Sequence, residues 1–442
     1  MEEEENMKLH GTMQINDRGH LEIGGCDAVD LVANFGSPLM VIDEALLREN
    51  CRRYRKAFAH DDTVAVFYAS KALLTTAVAR IIDDEGLGLD VVSGGELTIA
   101  LAAGFPPEKI LLHGNNKSPA EIKFALNCGV GRIVVDNFYE LALLEEISAM
   151  KGCRPSVLLR LAPGVDAHSH SYITTGKTDS KFGFNIAGGD ALKAVKSALN
   201  SPHLELKGVH CHIGSQIHEL DAFRCAAQVM MDFLEEARED TGWTAEELDM
   251  GGGLGVYYNS EDTPPSIEEY AKALQGAVEQ KCQEHNFPKP RLFVEPGRSI
   301  ISPAGTTLYT LGSSKEIPGI KKYVAVDGGM TDNLRPALYQ AVYEGMIANK
   351  AREQAVEKVA VTGRCCESGD MLIWELDVPH IEPGDLLAVS CTGAYTYSMS
   401  SNYNALPRPA IVLVADGRAE VIVEREKWGD LVRLHRIPDH LL

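Results

Sequence analysis

Positive charge is scarce in this chain. Its 442 residues carry 42 Lys and Arg against 63 Asp and Glu, a formal net charge of -21. A duplex nucleic-acid binder needs a basic face to displace counterions, so that class is excluded, as is docking to an anionic membrane surface. Long apolar runs are also missing, and none approaches the roughly 18 residues of a membrane span. The first residues, Met1-Glu2-Glu3-Glu4-Glu5, are acidic, the opposite of a signal or transit peptide. The ten cysteines include no CxxC pair, so a disulfide framework is not expected. Only the adjacent Cys365-Cys366 stand out. No solenoid repeat and no low-complexity linker occurs. The expectation is a reduced, cytoplasmic protein of about two domains.

From Pro38 a rhythm sets in: a short β-branched apolar run, a polar or glycine stop, then a helical pattern. The runs are Val64–Ala69, Gly88–Val92, Ile110–His113, Arg132–Asp136, Val157–Leu161, Gly208–His212, Leu248–Met250 and Leu292–Glu295. Helical patterns include Leu73–Ile82, Ser93–Ala103, Glu140–Met150 and Leu220–Asp240. Eight such units predict a closed parallel (β/α)8 barrel rather than an open sheet. After Pro303 the rhythm fades into short strand-like runs: Leu308–Leu311, Tyr323–Val326, Val356–Val361, Asp385–Val389 and Ala410–Val414. These read as a mostly antiparallel β domain, and residues 1–38 share its texture. The expected fold class is therefore α/β: a TIM-like barrel over 39–303, inserted into a β domain made of 1–38 and 304–442.

In such a barrel the chemistry lies at the C-terminal ends of the strands. The first strand ends on Lys71, the third on His113-Gly114-Asn115-Asn116-Lys117, the fifth on Arg160 and the sixth on His210-Cys211-His212. The seventh ends on Gly251-Gly252-Gly253 and the eighth on Glu295-Pro296-Gly297-Arg298. Alone, Lys71 reads as a solvated cation at a strand end. The glycines read either as a tight turn or as a cradle of backbone N–H groups for a phosphate. A Rossmann reading fails because Val256 stands where glycine is required, and a P-loop reading of Gly176-Lys177-Thr178 fails at Ser171. A buried Glu295 needs a partner, and a protonated pyridine nitrogen would serve. Lysine, phosphate cradle and carboxylate together point to pyridoxal phosphate, with His212 as a stacking face for its ring or simply a core residue. A competing reading takes His210 and His212, with His168 and His170, as ligands of a hydrolytic metal.

These residues sit in motifs that resemble the diaminopimelate decarboxylases, of the alanine-racemase-like group of pyridoxal-phosphate enzymes. The carriers are Tyr68-Ala69-Ser70-Lys71-Ala72, Asp90-Val91-Val92-Ser93-Gly94-Gly95-Glu96, His113 to Ser118, Ser180-Lys181-Phe182-Gly183, His210 to Gln216, the Gly251 run and Glu295 to Arg298. Further carriers are Val326 to Met330, Leu334 to Tyr339, Cys366 to Asp370 and Gly393-Ala394-Tyr395. The resemblance implies a homodimer with shared active sites, a cofactor-binding barrel, and a β domain for substrate and dimer contacts. By the same resemblance, Lys71 is the lysine that bears pyridoxal phosphate and His212 stacks on the ring. Ser215, Gly251, Gly252 and Gly253 hold the phosphate, with Gly297 beside the cofactor, and Glu295 meets the ring nitrogen. Arg298, Arg335 and Tyr339 clamp the far end of the substrate, and Tyr395 touches cofactor and substrate. Cys366, a proton donor, and Glu367 cross the dimer interface. Leu73 and Leu406 stand where many members have asparagine and arginine.

Two arginines suit a far carboxylate, which they can grip bidentately. The implied reaction is decarboxylation of meso-2,6-diaminopimelate to L-lysine and carbon dioxide, the last step of lysine biosynthesis. Ornithine, arginine or a carboxy-polyamine is the alternative substrate, and a non-catalytic cofactor-binding member is the alternative class. For Arg335 the plain reading is a surface cation, and for Cys366 a small buried hydrophobe.

Overall fold

The computed structural model describes residues 7–59, 65–165 and 180–442. Val64, His168, His170 and Gly176-Lys177-Thr178 lie outside the described residues. The chain forms two compact units, one of Arg48–Val256 and Thr263–Ile300, the other of Met1–Leu47, Tyr257–Asp262 and Ile301–Leu442.

The first unit is a parallel barrel. Its strands are β1 (Phe67–Ala69), β2 (Gly88–Val91), β3 (Ile110–Leu112), β4 (Arg132–Val135), β5 (Ser156–Ala162), β6 (Glu205–Cys211), β7 (Glu247–Asp249) and β8 (Arg291–Phe293). Each pairs in parallel with the next, and a bridge between Val66 and Val294 brings the last strand back to the first. The backbone closes there through Phe67 N–H to Val294 O (2.9 Å) and Val294 N–H to Ala65 O (3.0 Å). Alternate apolar side chains such as Leu89, Leu111, Ile133, Leu159 and Val209 are fully buried or nearly so. This is what a strand covered on both faces requires.

Several polar residues at the strand ends have a local structural job. Thr75, Ser93, Ser118, Asn137 and Ser266 are helix N-caps, each accepting a backbone N–H of the first turn. Ser118 and Ser266 complete capping boxes with Glu121 and Glu269. The cap at Thr75 also corrects the first helix, which runs Thr76–Asp84 rather than from Leu73. Residues 71–75 are a loop, pinned where Tyr68 Oη donates to Leu73 O (2.8 Å).

One buried ion pair fixes the loop after β3. Lys117 Nζ donates to Glu140 Oε1 (2.6 Å), Gly114 O (2.8 Å) and Val134 O (2.7 Å), using all three of its protons. Glu140 in turn accepts the Asp136 N–H through Oε2 (2.9 Å). The lysine therefore ties the turn that follows His113 to the helix Phe138–Lys151.

The second unit holds a nine-stranded sheet and a small three-stranded one. Six of the eight pairings in the larger sheet are antiparallel. Leu39–Asp43 lies in this sheet, antiparallel to Gly305–Leu308 and parallel to Ala410–Val414. The expected boundary at residue 39 is thus corrected: Leu39–Asp43 is a strand of the second unit. Its five residues, four apolar and Asp43, are all buried, and a short apolar run carries no mark of the sheet it will join. Leu39 and Val41 pack with Leu21, Ile23, Leu308, Ala388 and Val412 in the core of this unit.

Lys117→Met should lower stability by about 3–5 kcal/mol, because it strands the Glu140 charge in the interior. A urea midpoint equal to wild type would show that the pair does not hold the loop.

Candidate active site

At the C-terminal mouth of the barrel the strand ends bring charged groups together that are far apart in sequence. Glu295, two residues past β8, is 5% exposed. Its Oε1 lies 2.6 Å from His113 Nε2 and its Oε2 lies 3.1 Å from His210 Nε2. Burial alone would raise its pKa; His113 and His210 outweigh this and hold it well below the ordinary range, as a carboxylate. A second buried carboxyl, Asp249 at the end of β7, accepts the Gly251 N–H through Oδ1 (2.9 Å). Burial first, then the Glu295 charge, push its pKa well above the usual carboxylate value. Burial lowers His210 to about 4 and His212 to about 3, the latter helped by the Lys71 charge, so both are neutral at pH 7.

Lys71 stands two residues past β1. Its Nζ stands 3.6 Å from Asp90 Oδ2, and Asp90 is completely buried. Neither Asp90 oxygen has a hydrogen-bond partner among the described residues. A buried carboxylate at the lysine amine offsets a positive charge there. Gly297 packs against the same turn: a Cβ would come within 2.9 Å of Ala69 Cβ and 3.1 Å of Ala72 Cβ. Its place is thus beside the backbone that carries Lys71.

The glycine run is held between β6 and β8. Gly251 has φ +65°, and a Cβ there would press on Cys211 O and on the His212 ring. A Cβ on Gly252 would collide with Glu295 O, and one on Gly253 with Gly214 O. Gly251 spends its N–H on Asp249, while those of Gly252 and Gly253 have no acceptor among the described residues. Nearby, Arg298 donates to Ser215 Oγ from Nη2 (2.9 Å) and Nε (3.3 Å).

Lys71, His212, Ser215, Gly251 to Gly253, Glu295, Gly297 and Arg298 thus all stand on the barrel unit. Arg335, Tyr339, Cys366, Glu367 and Tyr395 stand on the other. Arg335 is not a surface cation: it is 7% exposed, its guanidinium lies 4.6 Å from the Tyr258 ring, and Nη1 donates to Tyr343 Oη (2.5 Å). Its pKa is raised: burial opposes the shift, and Tyr343 and Tyr258 more than offset it. Cys366 is not a buried hydrophobe, since it is exposed and its N–H is held by Asn404 Oδ1 (2.7 Å). Glu367 is exposed, as is Tyr339. Tyr395 has φ +59°, a left-handed position that a bulky residue seldom takes.

Sequence reasoning gave Asp90, His113 and Asp249 no role, and it considered His210 only as a metal ligand. The signal for them is their place at or next to a strand end, on the inward-facing alternation. His113, His210 and Glu295 also have the residue types of a metal centre, with ligand atoms within 4.8 Å of one another. That group takes His210 but not His212. Two ligands of one zinc, each at about 2.0–2.1 Å, would stand about 3.3 Å apart. The 2.6 Å from His113 Nε2 to Glu295 Oε1 is instead a charge-assisted hydrogen-bond length.

The family profile of the pyridoxal-dependent decarboxylases, pyridoxal-binding domain, matches residues 44–302. Diaminopimelate decarboxylase of Bacillus subtilis is 51% identical over 429 residues, covering 97% of this chain and 98% of the relative. The chain belongs to the diaminopimelate decarboxylase family. The Synechocystis member is 45% identical over 98% of this chain and 93% of its own length. The crystal structure of the M. jannaschii diaminopimelate decarboxylase in complex with L-lysine superposes with a TM-score of 0.92 at 36% identity, covering 98% of this chain and 99% of that one. The family uses pyridoxal phosphate, and three observations fit that group here: a lysine amine at the barrel mouth, a buried carboxylate, and two glycine N–H groups without an acceptor among the described residues.

The two neutral imidazoles set a pH dependence. Below about pH 6.5 the unfolded chain protonates His210 and His212, while the folded chain resists until about 4 and 3. Each should therefore cost on the order of 1 kcal/mol of stability per pH unit as pH falls from 6.5. Urea midpoints from pH 7 to pH 5 should drop, and drop less steeply in His212→Gln; parallel slopes would contradict the buried neutral state.

Proposed function

We propose that this chain decarboxylates meso-2,6-diaminopimelate at its D centre, giving L-lysine and carbon dioxide, with pyridoxal phosphate as cofactor. The observation that carries this is the convergence of Lys71, the buried Glu295 carboxylate and the Gly252–Gly253 N–H groups at one barrel mouth, in a chain similar over its full length to enzymes of that name. When bound, pyridoxal phosphate supplies an electron sink for the pair left behind as the Cα–carboxylate bond breaks.

Lys71 provides the amine that holds the cofactor's carbonyl carbon, and Asp90 balances its charge. The N–H groups of Gly252 and Gly253 and the Ser215 hydroxyl hold the phosphate. Glu295 accepts a hydrogen bond from the ring nitrogen and keeps its proton in place. His212, neutral at pH 7, offers a flat uncharged face. Arg335 has no carboxylate partner among the described residues, and with Arg298 it is proposed to receive the substrate's far carboxylate. Tyr339, Glu367 and Tyr395 are proposed as further substrate contacts. One proton must arrive at Cα for each carbon dioxide lost, and the Cys366 thiol is the proposed donor.

Spectra with and without meso-2,6-diaminopimelate, on wild type and Lys71→Ala, test this together with carbon dioxide release. Wild type should carry a cofactor band near 420 nm (an approximate position for a lysine-bound cofactor) that responds to the substrate. Lys71→Ala should lack that band and lose at least about a thousandfold in kcat. Release from ornithine or arginine but not from diaminopimelate would overturn the substrate assignment.

The same reading makes the protein a cytoplasmic homodimer. No helix among the described residues is long and apolar enough to cross a membrane. Cys366 and Glu367 stand exposed, as groups meant for a partner's site would. Co-expression of inactive Lys71→Ala with inactive Cys366→Ala should restore up to about a quarter of the activity per site, as expected for a shared site. No recovery in a verified mixed dimer would contradict it.

A further inference from the structure

Glu295 lies between two imidazoles that touch different oxygens of its carboxylate. We propose that His113 and His210 are positioning residues that hold Glu295 in one orientation and keep it ionised, each by an Nε2–H donated to a different carboxylate oxygen. The proposal rests on the assignment of Glu295 to the cofactor's ring nitrogen, and it supplies the reason that assignment can work in a buried site.

A carboxylate only accepts, so the nitrogens at 2.6 Å and 3.1 Å from Glu295 must both carry protons. For His210 the other ring nitrogen settles the tautomer. Its Nδ1 is buried with no partner among the described residues. An N–H there would be an unsatisfied buried donor, whereas a bare lone pair costs less. The single proton of a neutral ring therefore sits on Nε2, in line with burial lowering its pKa to about 4. His113 and His210 meet edge to face, centroids 4.8 Å apart at 68°.

Both rings are set by backbone, not by flexible stems. His210 lies inside β6, in register with Arg160 of β5 and Asp249 of β7. His113 follows β3, its N–H bonded to Val91 O (2.8 Å). The other titratable groups facing the cluster are Asp90, whose Oδ1 is 3.8 Å from His113 Nε2, and Asp249, His212, Arg160, Lys71, Glu96, Cys211 and Tyr270.

The count of acceptor sites leaves room for the cofactor. An ionised carboxylate has about four lone-pair sites. The two histidines take one on each oxygen, which leaves sites for a ring N–H. Without the histidines, burial would favour the protonated acid. A protonated Glu295 would donate to the ring nitrogen instead of accepting from it, and the nitrogen would lose its proton.

Two measurements test this. The first is imidazole 15N–1H NMR of the cofactor-free protein, which needs no turnover. Both rings should show a proton on Nε2 at pH 7, and His210 should stay neutral to pH 5.5. An Nδ1–H tautomer or an imidazolium signal for His210 at pH 7 overturns the proposal. The second is the pH profile of His210→Phe against His210→Gln in the holoenzyme. Phenylalanine removes the donor, so the acid limb of kcat should move to higher pH and kcat at pH 7 should fall at least about tenfold, with KM little changed. Glutamine keeps an N–H donor and should restore most of the loss. An acid limb at the wild-type position in His210→Phe overturns the proposal. If Glu295→Gln retains wild-type kcat, the assignment of Glu295 itself fails, a result distinct from the tautomer seen by NMR.

Discussion

A carboxylate taken out of water is the constraint on which this barrel mouth turns. Removing Glu295 from solvent costs several kcal/mol unless hydrogen bonds replace the lost water. His113 and His210 supply two of them, at 2.6 Å and 3.1 Å, from partners 182 and 85 residues away in sequence. Everything that places those three side chains therefore bears on the charge state of the site. The Lys117–Glu140 pair fixes the turn after His113. The ladder of β6 with β5 and β7 fixes His210. The glycines after β7 let the Glu295 backbone lie close enough to bond, Glu295 N–H to Gly251 O at 2.8 Å.

The same end of the barrel sorts its ionisable groups by environment. Burial and the Glu295 charge push Asp249 well above the usual carboxylate range, while two imidazole donors hold Glu295 well below it, although both are buried. His212 is neutral, since a positive ring beside the Lys71 ammonium would be doubly penalised, by burial and by repulsion. Opposite protonation states in neighbouring groups are what a site needs if it is to keep one proton on a cofactor nitrogen and deliver another to a substrate carbon.

On the second unit the logic is different. Arg335 is buried against two tyrosine rings with no carboxylate partner among the described residues. Aromatic faces and a phenol oxygen steady a guanidinium without neutralising it, so it keeps its affinity for an anion. Cys366 and Glu367 are exposed on a loop whose backbone is tied down by Asn404 and Asp370. Small local bonds hold their positions, among them Gly369 N–H (3.2 Å) and Ser368 Oγ (3.3 Å) donating to Glu367 Oε1.

Much of this was legible in the chain itself. Eight strand–helix units follow from short β-branched runs and helical spacing, which are local patterns. The caps at Ser93, Ser118 and Asn137 are local too, and they account for polar residues that otherwise look functional. Lys71, the glycine run and Glu295 were legible because a strand's last residue in a parallel barrel faces its mouth. Two things were not. Leu39–Asp43 joins the second sheet, which no pattern within so short a run can reveal. The roles of His113, His210 and Asp249 also depend on partners that come within reach only once the barrel closes at Val66 and Val294. The sequence determined which groups stand at the strand ends. The tertiary structure alone decided which of them share a proton, because burial and a contact of a few ångströms set a charge state, and neither is a property of residue order.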